Sequence, residues 1–261
     1  MPEQQLQQMP PEIQSRLDAA CDLAIAGAEK DYHNPLQPFD QYAEKIRLDL
    51  QRTFADFFTK QQHAGAVLKE YLLKEEQENP NILEEARWVT WEKIAGEICK
   101  QAVAGTLSFN PEDETKRQQL QEQFGVSWSF MDRVYAVADK LIDEAKYAEA
   151  ASVCDLLLFL HFDVPEYWTN KGIALFGIHE YETALYQYMF SLRFNAEDPS
   201  IYFQMARCYF QLKEIDHCKA CLDLCLQYCQ QDEKYADLLA EATNIKQAIE
   251  TKQLTIEGGV K

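Results

Sequence analysis

The segment HCKACLDLCLQYCQQ carries four thiols, Cys218, Cys221, Cys225 and Cys229, at spacings of 3, 4 and 4. Thiolate sulfur is a common zinc ligand, and Cys218-x-x-Cys221 alone is half of a zinc motif. A zinc tetrahedron needs its donors to converge on one point. On a helix these spacings instead draw a single stripe along three turns, about 16 Å long. The pattern predicts a helix whose cysteines are small buried hydrophobes in a reducing compartment, with no metal site and no structural disulfide.

The other chemistry-bearing residues form no catalytic pattern. His33, His63, His161, His179 and His217 lack metal-ligand spacing. His161 and His179 fall at predicted helix ends, where a surface or capping role is expected. Glu75–Glu76 and Glu84–Glu85 sit in helical surface patterns and read as solvated faces. The chain has no Gly-rich phosphate loop, no His-Glu-x-x-His and no Gly-x-Ser-x-Gly. The expectation is a non-enzyme with no catalytic residue and no cofactor.

Bulk properties narrow the partners. A net charge of −18 over 261 residues argues against nucleic acid, because phosphate binding needs clustered Lys and Arg. With no run of about 18 apolar residues, membrane insertion is not expected. The start MPEQQLQQMPPEIQ lacks the basic and apolar regions of a signal peptide, which points to a cytosolic protein. Only nine Gly and nine Pro, beside abundant Leu, Ala, Glu and Gln, favour helices.

The elements that position these residues emerge from internal repetition. A period of 34 runs from Met131 to Asp232. Small residues recur at Ala138, Gly172 and Ala206, and apolar ones at Val134, Trp168, Tyr202 and at Leu141, Leu175, Tyr209. Three more columns follow: Tyr147, Tyr181, Ile215; Ala150, Ala184, Cys218; and Cys154, Tyr188, Leu222. Repetition at this period signals a solenoid of helix pairs. In the middle block Pro165 suits a first helical turn, GIHE (177–180) gives the reversal, and Tyr181, Ala184, Leu185, Tyr188 and Leu192 continue at helical spacing. The small columns let the first helix of each pair (helix A) approach the second (helix B) closely.

This frame resembles the tetratricopeptide repeat. Trp168, Gly172, Leu175, Ala184 and Tyr188 stand in the expected places, while Lys171 replaces a usual Leu and Ala196 a usual Pro. The first block has Ala138 for Gly and the third has Cys218 for Ala. The reading is all-α: repeats at 131–164, 165–198 and 199–232, then a capping helix from about Glu233 to Leu254. The stretches FGVSWSFMDRVYAVADKLIDEAKYAEAASVCDLLLFLHFD and ALYQYMFSLRFNAEDPSIYFQMARCYFQLKEIDHCKACLDLC further resemble class II chaperones of bacterial type III secretion. That likeness covers roughly residues 124–255 and implies a bacterial cytoplasmic chaperone that grips a Pro/Leu-containing segment of a hydrophobic client.

The resemblance also implies where binding occurs, in a concave groove lined by the A helices. Its positions here are Asp132, Tyr135, Asp139 and Ile142, then Thr169, Ile173 and Phe176, then Phe203, Arg207 and Phe210. Tyr135, Ile142, Ile173, Phe176, Phe203 and Phe210 are expected to bury client side chains; Asp139, Thr169 and Arg207 to hold its backbone. Asp139 would repel a C-terminal carboxylate, which disfavours the subclass that clamps such tails. The alternative is an adaptor that joins two proteins, one on each half.

The N-terminal half shares no phase with the repeats and reads as a separate helical domain or extension over 1–110, with a connecting helix and loop over 111–130. Ile13, Leu17, Ala20 and Ala24 mark one helix, and a second runs from Asp40 to about Glu78 with a stripe of Ile46, Leu50, Phe54, Phe57 and Phe58. The stripe reads as intramolecular core, with any exposed part a surface for a homodimer. After NPN (79–81) a third helix is expected to carry Ile82, Ala86, Val89, Ile94, Ile98 and Val103, with Trp88 and Trp91 packed inside. SFNPEDE (108–114) opens a short helix ending near Phe124–Gly125.

Overall fold

The computed structural model describes residues 11–30, 32, 38–104 and 120–257, and among them regular structure is entirely helical. The chain divides into two compact units, Met1–Phe130 and Met131–Lys261.

In the first unit, α1 (Pro11–Glu29) packs along α2 (Phe39–Glu78), a helix of 40 residues. Leu17 and Cys21 of α1 are buried, as are Ala55, Ala64, Val67, Leu68 and Leu72 of α2. Polar pairs tie the two helices, Arg47 to Asp22 and Gln51 to Asp18. The expected stripe on α2 is interrupted: Ile46 is half-buried and Leu50 exposed, while the side chains of Phe54, Phe57 and Phe58 lie outside the described residues. α2 stops before Pro80, because a residue preceding proline is driven out of the helical region.

The third helix, α3 (Trp88–Ala104), starts later than expected, so Ile82 and Ala86 lie outside it. Local bonds hold residues 79–87 in turns and a 3-10 segment at Glu84–Ala86. The Arg87 guanidinium donates to the Glu84 carboxylate at 2.8 Å, and the Thr90 hydroxyl to the Glu84 carbonyl at 2.7 Å. The Glu76 carboxylate accepts from the Trp88 N–H at the new helix start. Glu76 and Glu84 are therefore tied into this turn rather than simply solvated. Trp91 is buried and stacks on Phe130, with centroids 6.0 Å apart, whereas Trp88 is only half-buried. The expected helix start at 108–114 lies outside the described residues. α4 (Leu120–Gln123) is followed by Gly125 at φ 62°, in the left-handed region that glycine tolerates.

The second unit is a run of helical hairpins. α5 (Trp128–Asp143) pairs with α6 (Tyr147–Leu160), α7 (Pro165–Gly177) with α8 (Tyr181–Leu192), and α9 (Pro199–Gln211) with α10 (Ile215–Cys229). The second helices begin at Tyr147, Tyr181 and Ile215, each 34 residues after the last. The reversals share one geometry. Ala145, His179 and Lys213 all have positive φ, at 57°, 67° and 64°. The next N–H then reaches back to the helix: Lys146 to the Leu141 carbonyl, Glu180 to Leu175 and Glu214 to Tyr209, at 2.8, 3.0 and 2.9 Å. This is the six-to-one bond of a Schellman turn, formed here without glycine at a cost of roughly 1–2 kcal/mol per left-handed residue. Pro165 and Pro199 open their helices, and the Asp198 carboxylate caps α9 by accepting from the Ser200 N–H at 2.9 Å.

Packing explains the small columns. Ala138, Gly172, Ala206, Ala150, Ala184 and Cys218 are all buried. A Cβ at Gly172 would stand 2.5 Å from the Tyr188 ring, so α7 and α8 can meet this closely only through a bare backbone. Gly177 plays an unforeseen second part: the Tyr147 ring lies where its Cβ would be, joining the first hairpin to the second. Lys171, which stands where Leu is expected, pairs its ammonium with Asp155 of α6 at 2.6 Å. The four cysteines of α10 are buried among α9 and α11 residues, with the Cys225 and Cys229 sulfurs 3.9 Å apart. α11 (Ala236–Glu257) covers α10 with Ala242 and Ile249, and Lys246 pairs with Asp223 at 2.5 Å. His161, expected in a surface or capping role, is the C-cap residue of α6, its N–H bonded to the Leu157 carbonyl, and it is buried.

Gly172→Ala is expected to destabilise the unit by about 1–3 kcal/mol, despite alanine's better helix propensity, because the fully buried Tyr188 ring cannot move aside. Tyr188→Phe is expected to be neutral or stabilising, since the buried hydroxyl has no hydrogen-bond partner among the described residues. Chemical denaturation of both variants checks the pair of outcomes.

Candidate functional site

The first helix of each hairpin places residues 34 apart in parallel rows. Across α5, α7 and α9 these rows are Tyr135–Thr169–Phe203, Asp139–Ile173–Arg207 and Ile142–Phe176–Phe210. Contacts show that the three helices are neighbours in that order. Between α5 and α7, the Asn170 amide donates to Asp139 Oδ1 at 2.7 Å, and the Tyr135 and Tyr167 rings lie 5.6 Å apart. Between α7 and α9, the Arg207 guanidinium sits 4.5 Å from the centre of the Phe176 ring.

Individual positions differ in what they offer. Tyr135, Ile142, Thr169, Ile173 and Phe176 are half-buried, while Asp139 and Arg207 are exposed. Phe210 is the most open aromatic of the set, at 49 % exposure. Phe203 was expected to receive a client side chain, but it is 6 % exposed and packs with Ile201, Met205 and Ala206 in the hairpin core. Its ring is consumed by packing, so the accessible apolar surface comes from Ile142, Ile173, Phe176 and Phe210. Phe176 also meets Tyr181 edge-on at 5.3 Å, which fixes the ring that Arg207 covers. Arg207 is held in turn by Gln204, whose carbonyl oxygen accepts from Nη1 at 2.8 Å.

Where α7 begins, a small cleft of about 80 Å³ is lined by Tyr135, Glu166, Thr169, Asn170, Ser191 and Asn195. The Thr169 and Ser191 hydroxyls both donate to the Pro165 carbonyl, at 3.1 and 2.8 Å, and stand 2.9 Å from each other. Sequence reasoning did not single out Asn170 or Ser191. Asn170 occupies no repeating column, so periodicity could not flag it. Ser191 had a signal: its column is otherwise Leu157 and Cys225, both buried, and one hydroxyl in an apolar column must find a partner inside.

Electrostatics divide the rows by sign. Burial, then the charges of Asp139 and Glu166, push the Tyr135 phenol up to about 12, against a hydrogen bond from Asn170 that favours ionisation. Burial, then Asp132 and Glu166, likewise push Tyr167 up to about 12. Both phenols stay neutral and able to donate, in a field set by carboxylates. Burial alone dominates at the thiols: Cys208 and Cys225 are pushed up to about 12 and Cys221 to about 11. Protonated thiols are poor nucleophiles and poor ligands, which agrees with their place in the core. Among the described residues no three His, Cys, Asp or Glu side chains are grouped to hold a metal, and no helix is long and apolar enough to cross a membrane.

No protein-family model matches the chain, and no curated protein does. Solved structures do resemble it. A T3SS complex from Aeromonas hydrophila is similar at 18 % identity over 53 % of this chain and 93 % of that one, with a TM-score of 0.51. The Yersinia enterocolitica type III secretion translocator chaperone SycD aligns at 18 % identity over 50 % of this chain and 98 % of its own, with a TM-score of 0.49. SycD in complex with a peptide of the translocator YopD aligns at 20 % identity over 49 % and 98 %, with a TM-score of 0.47. At these identities the likeness is one of fold; it takes in about half the chain and leaves the N-terminal region unmatched.

The buried thiols and phenols predict how stability responds to alkali. Unfolded, a thiol ionises near its ordinary value of 9.0; folded, Cys208, Cys221 and Cys225 hold the proton to about 11 or 12. Below the unfolded value both states are protonated and the stability is fully present. Above it the unfolded chain releases protons first, so stability falls as pH climbs from about 9 toward 12. Guanidinium unfolding midpoints at pH 7.5 and 10.5 check this. Alkylation followed by mass spectrometry at pH 8 should find these three cysteines protected until the chain is unfolded.

Proposed function

We propose that this chain is a non-enzymatic peptide-binding chaperone of the bacterial cytoplasm, related in role to type III secretion chaperones. Its groove of A helices holds a hydrophobic client through an extended segment containing Pro and Leu. One observation carries the reading: three adjacent helices present Ile142, Phe176 and Phe210 in one row, beside Tyr135, Asp139, Thr169 and Arg207 as hydrogen-bonding and charged groups. An extended peptide offers side chains alternately and leaves its amides unpaired, so it needs this mixture of apolar faces and fixed polar groups. Proline suits the site because it lowers the entropy lost on binding and removes an N–H that would need a partner.

A second reading, an adaptor with two protein partners, draws on a different surface. α8 exposes Tyr186, Met189 and Phe190 on one face, with Phe194 just beyond its end. These lie on a B helix rather than in the rows, and would serve the partner of the repeat half, with the N-terminal half binding the other.

Titration of a Pro/Leu-containing translocator segment against Phe176→Ala and Phe210→Ala tests the leading reading. Each truncation is expected to weaken binding by about 1–3 kcal/mol. Unchanged affinity in both folded variants would remove the groove assignment. Separate pull-downs with residues 1–130 and with the full chain carrying Phe190→Ala would instead reveal an adaptor.

A further inference from the structure

The middle row of the groove changes sign along its length. Asp139 on α5, Ile173 on α7 and Arg207 on α9 are equivalent positions, 34 residues apart, and read acid, apolar, base. Both charges are exposed while Ile173 is half-buried between them. Each charge is also aimed by a neighbour. The Asn170 amide, itself only 6 % exposed, bonds Asp139 Oδ1 at 2.7 Å. The Phe176 ring and Gln204 hold the Arg207 guanidinium from its face and from Nη1. The flanking groups strengthen the contrast: Asp132 and Glu166 add negative charge near Tyr135 and Tyr167, and Lys171, the cation on α7, is spent on Asp155.

We propose, resting on the peptide-groove reading, that this row selects its client by the order of charge. The occupant is an extended segment that places a basic side chain against Asp139, an apolar one over Ile173 and Phe176, and an acidic one against Arg207. Neighbouring helices pack about 8–10 Å apart, so Asp139 and Arg207 stand roughly 16–20 Å apart. An extended chain advances about 3.3 Å per residue, which separates the client's two charges by five or six residues. Complementary charges fix register and direction more than they raise affinity, and like charges brought together by the wrong order act against it. The apolar rows supply the binding; the charged row decides which way round the segment lies.

Two capped nine-residue peptides test this, with one Pro/Leu core flanked by lysine and glutamate six positions apart, in the two opposite orders. A third peptide with glutamine at both flanking positions serves as the neutral control. Fluorescence anisotropy against the full chain is expected to favour one order by about tenfold at low salt, with the preference shrinking in high salt. The double variant Asp139→Lys with Arg207→Glu is expected to reverse the preferred order. Asp139→Asn with Arg207→Gln, closer in shape and safer for the Asn170 bond, is expected to abolish the preference, so that the two charged orders bind alike. Equal binding of both orders by the native chain overturns the charge-order proposal but leaves the groove reading standing. Binding by none of the three peptides overturns both.

Discussion

The ring of Tyr188 lies against the bare backbone of Gly172, fully buried, and the spacing of the second unit follows from that contact. Two helices joined by a three-residue turn can bury their facing stripes only if their axes come close. A small residue on one helix and a large flat one on the other let them do so without leaving a void. The same exchange recurs between hairpins, where Tyr147 covers Gly177. Because each hairpin repeats the geometry of the one before it, equivalent residues on successive A helices line up. The aligned rows are a consequence of that stacking.

The turns reinforce the regularity by unusual means. Left-handed residues at 145, 179 and 213 are Ala, His and Lys rather than the glycine that tolerates that conformation best. Each is held by the bond from the following N–H to the carbonyl five residues back, and by the burial of both flanking helices. Local preference is thus overruled by tertiary packing at the same register in every hairpin. A turn repeated in phase keeps the A helices parallel, and the polar contacts from Asn170 to Asp139 and from Arg207 to Phe176 cross helices that the turns have already aligned.

Surface chemistry on this frame is concentrated rather than spread. The cysteines, which invite a metal or redox reading, are absorbed by the core of α9, α10 and α11. Burial raises their pKa and keeps them protonated. What remains exposed on the rows is a small set of aromatic, aliphatic and charged side chains suited to binding. The polar cleft at the start of α7 includes hydroxyls that share the Pro165 carbonyl, so it is preorganised. Preorganisation of this kind lowers the entropy lost when a flexible segment is ordered.

Periodicity in the amino-acid sequence was enough to specify the all-α class, the hairpin order and the small-residue columns, because each repeat must solve the same local packing problem with the same kinds of residue. It also separated frame positions such as Gly172 and Ala184 from candidates such as Ile173 and Phe176. Three matters needed the tertiary structure. Phe203 shares a column with the half-buried Thr169 yet is buried, since exposure depends on the neighbouring helix and not on register alone. Asn170 joins α5 to α7 through one bond that no repeat predicts. The start of α3 was displaced to Trp88 by side chains at Glu76, Glu84 and Arg87 bonding the chain around a turn, a set of contacts that helical spacing cannot encode. A repeat pattern reports what every unit has in common. The candidate site draws on the residues in which the units differ, and only the fold decides which of those differences face each other.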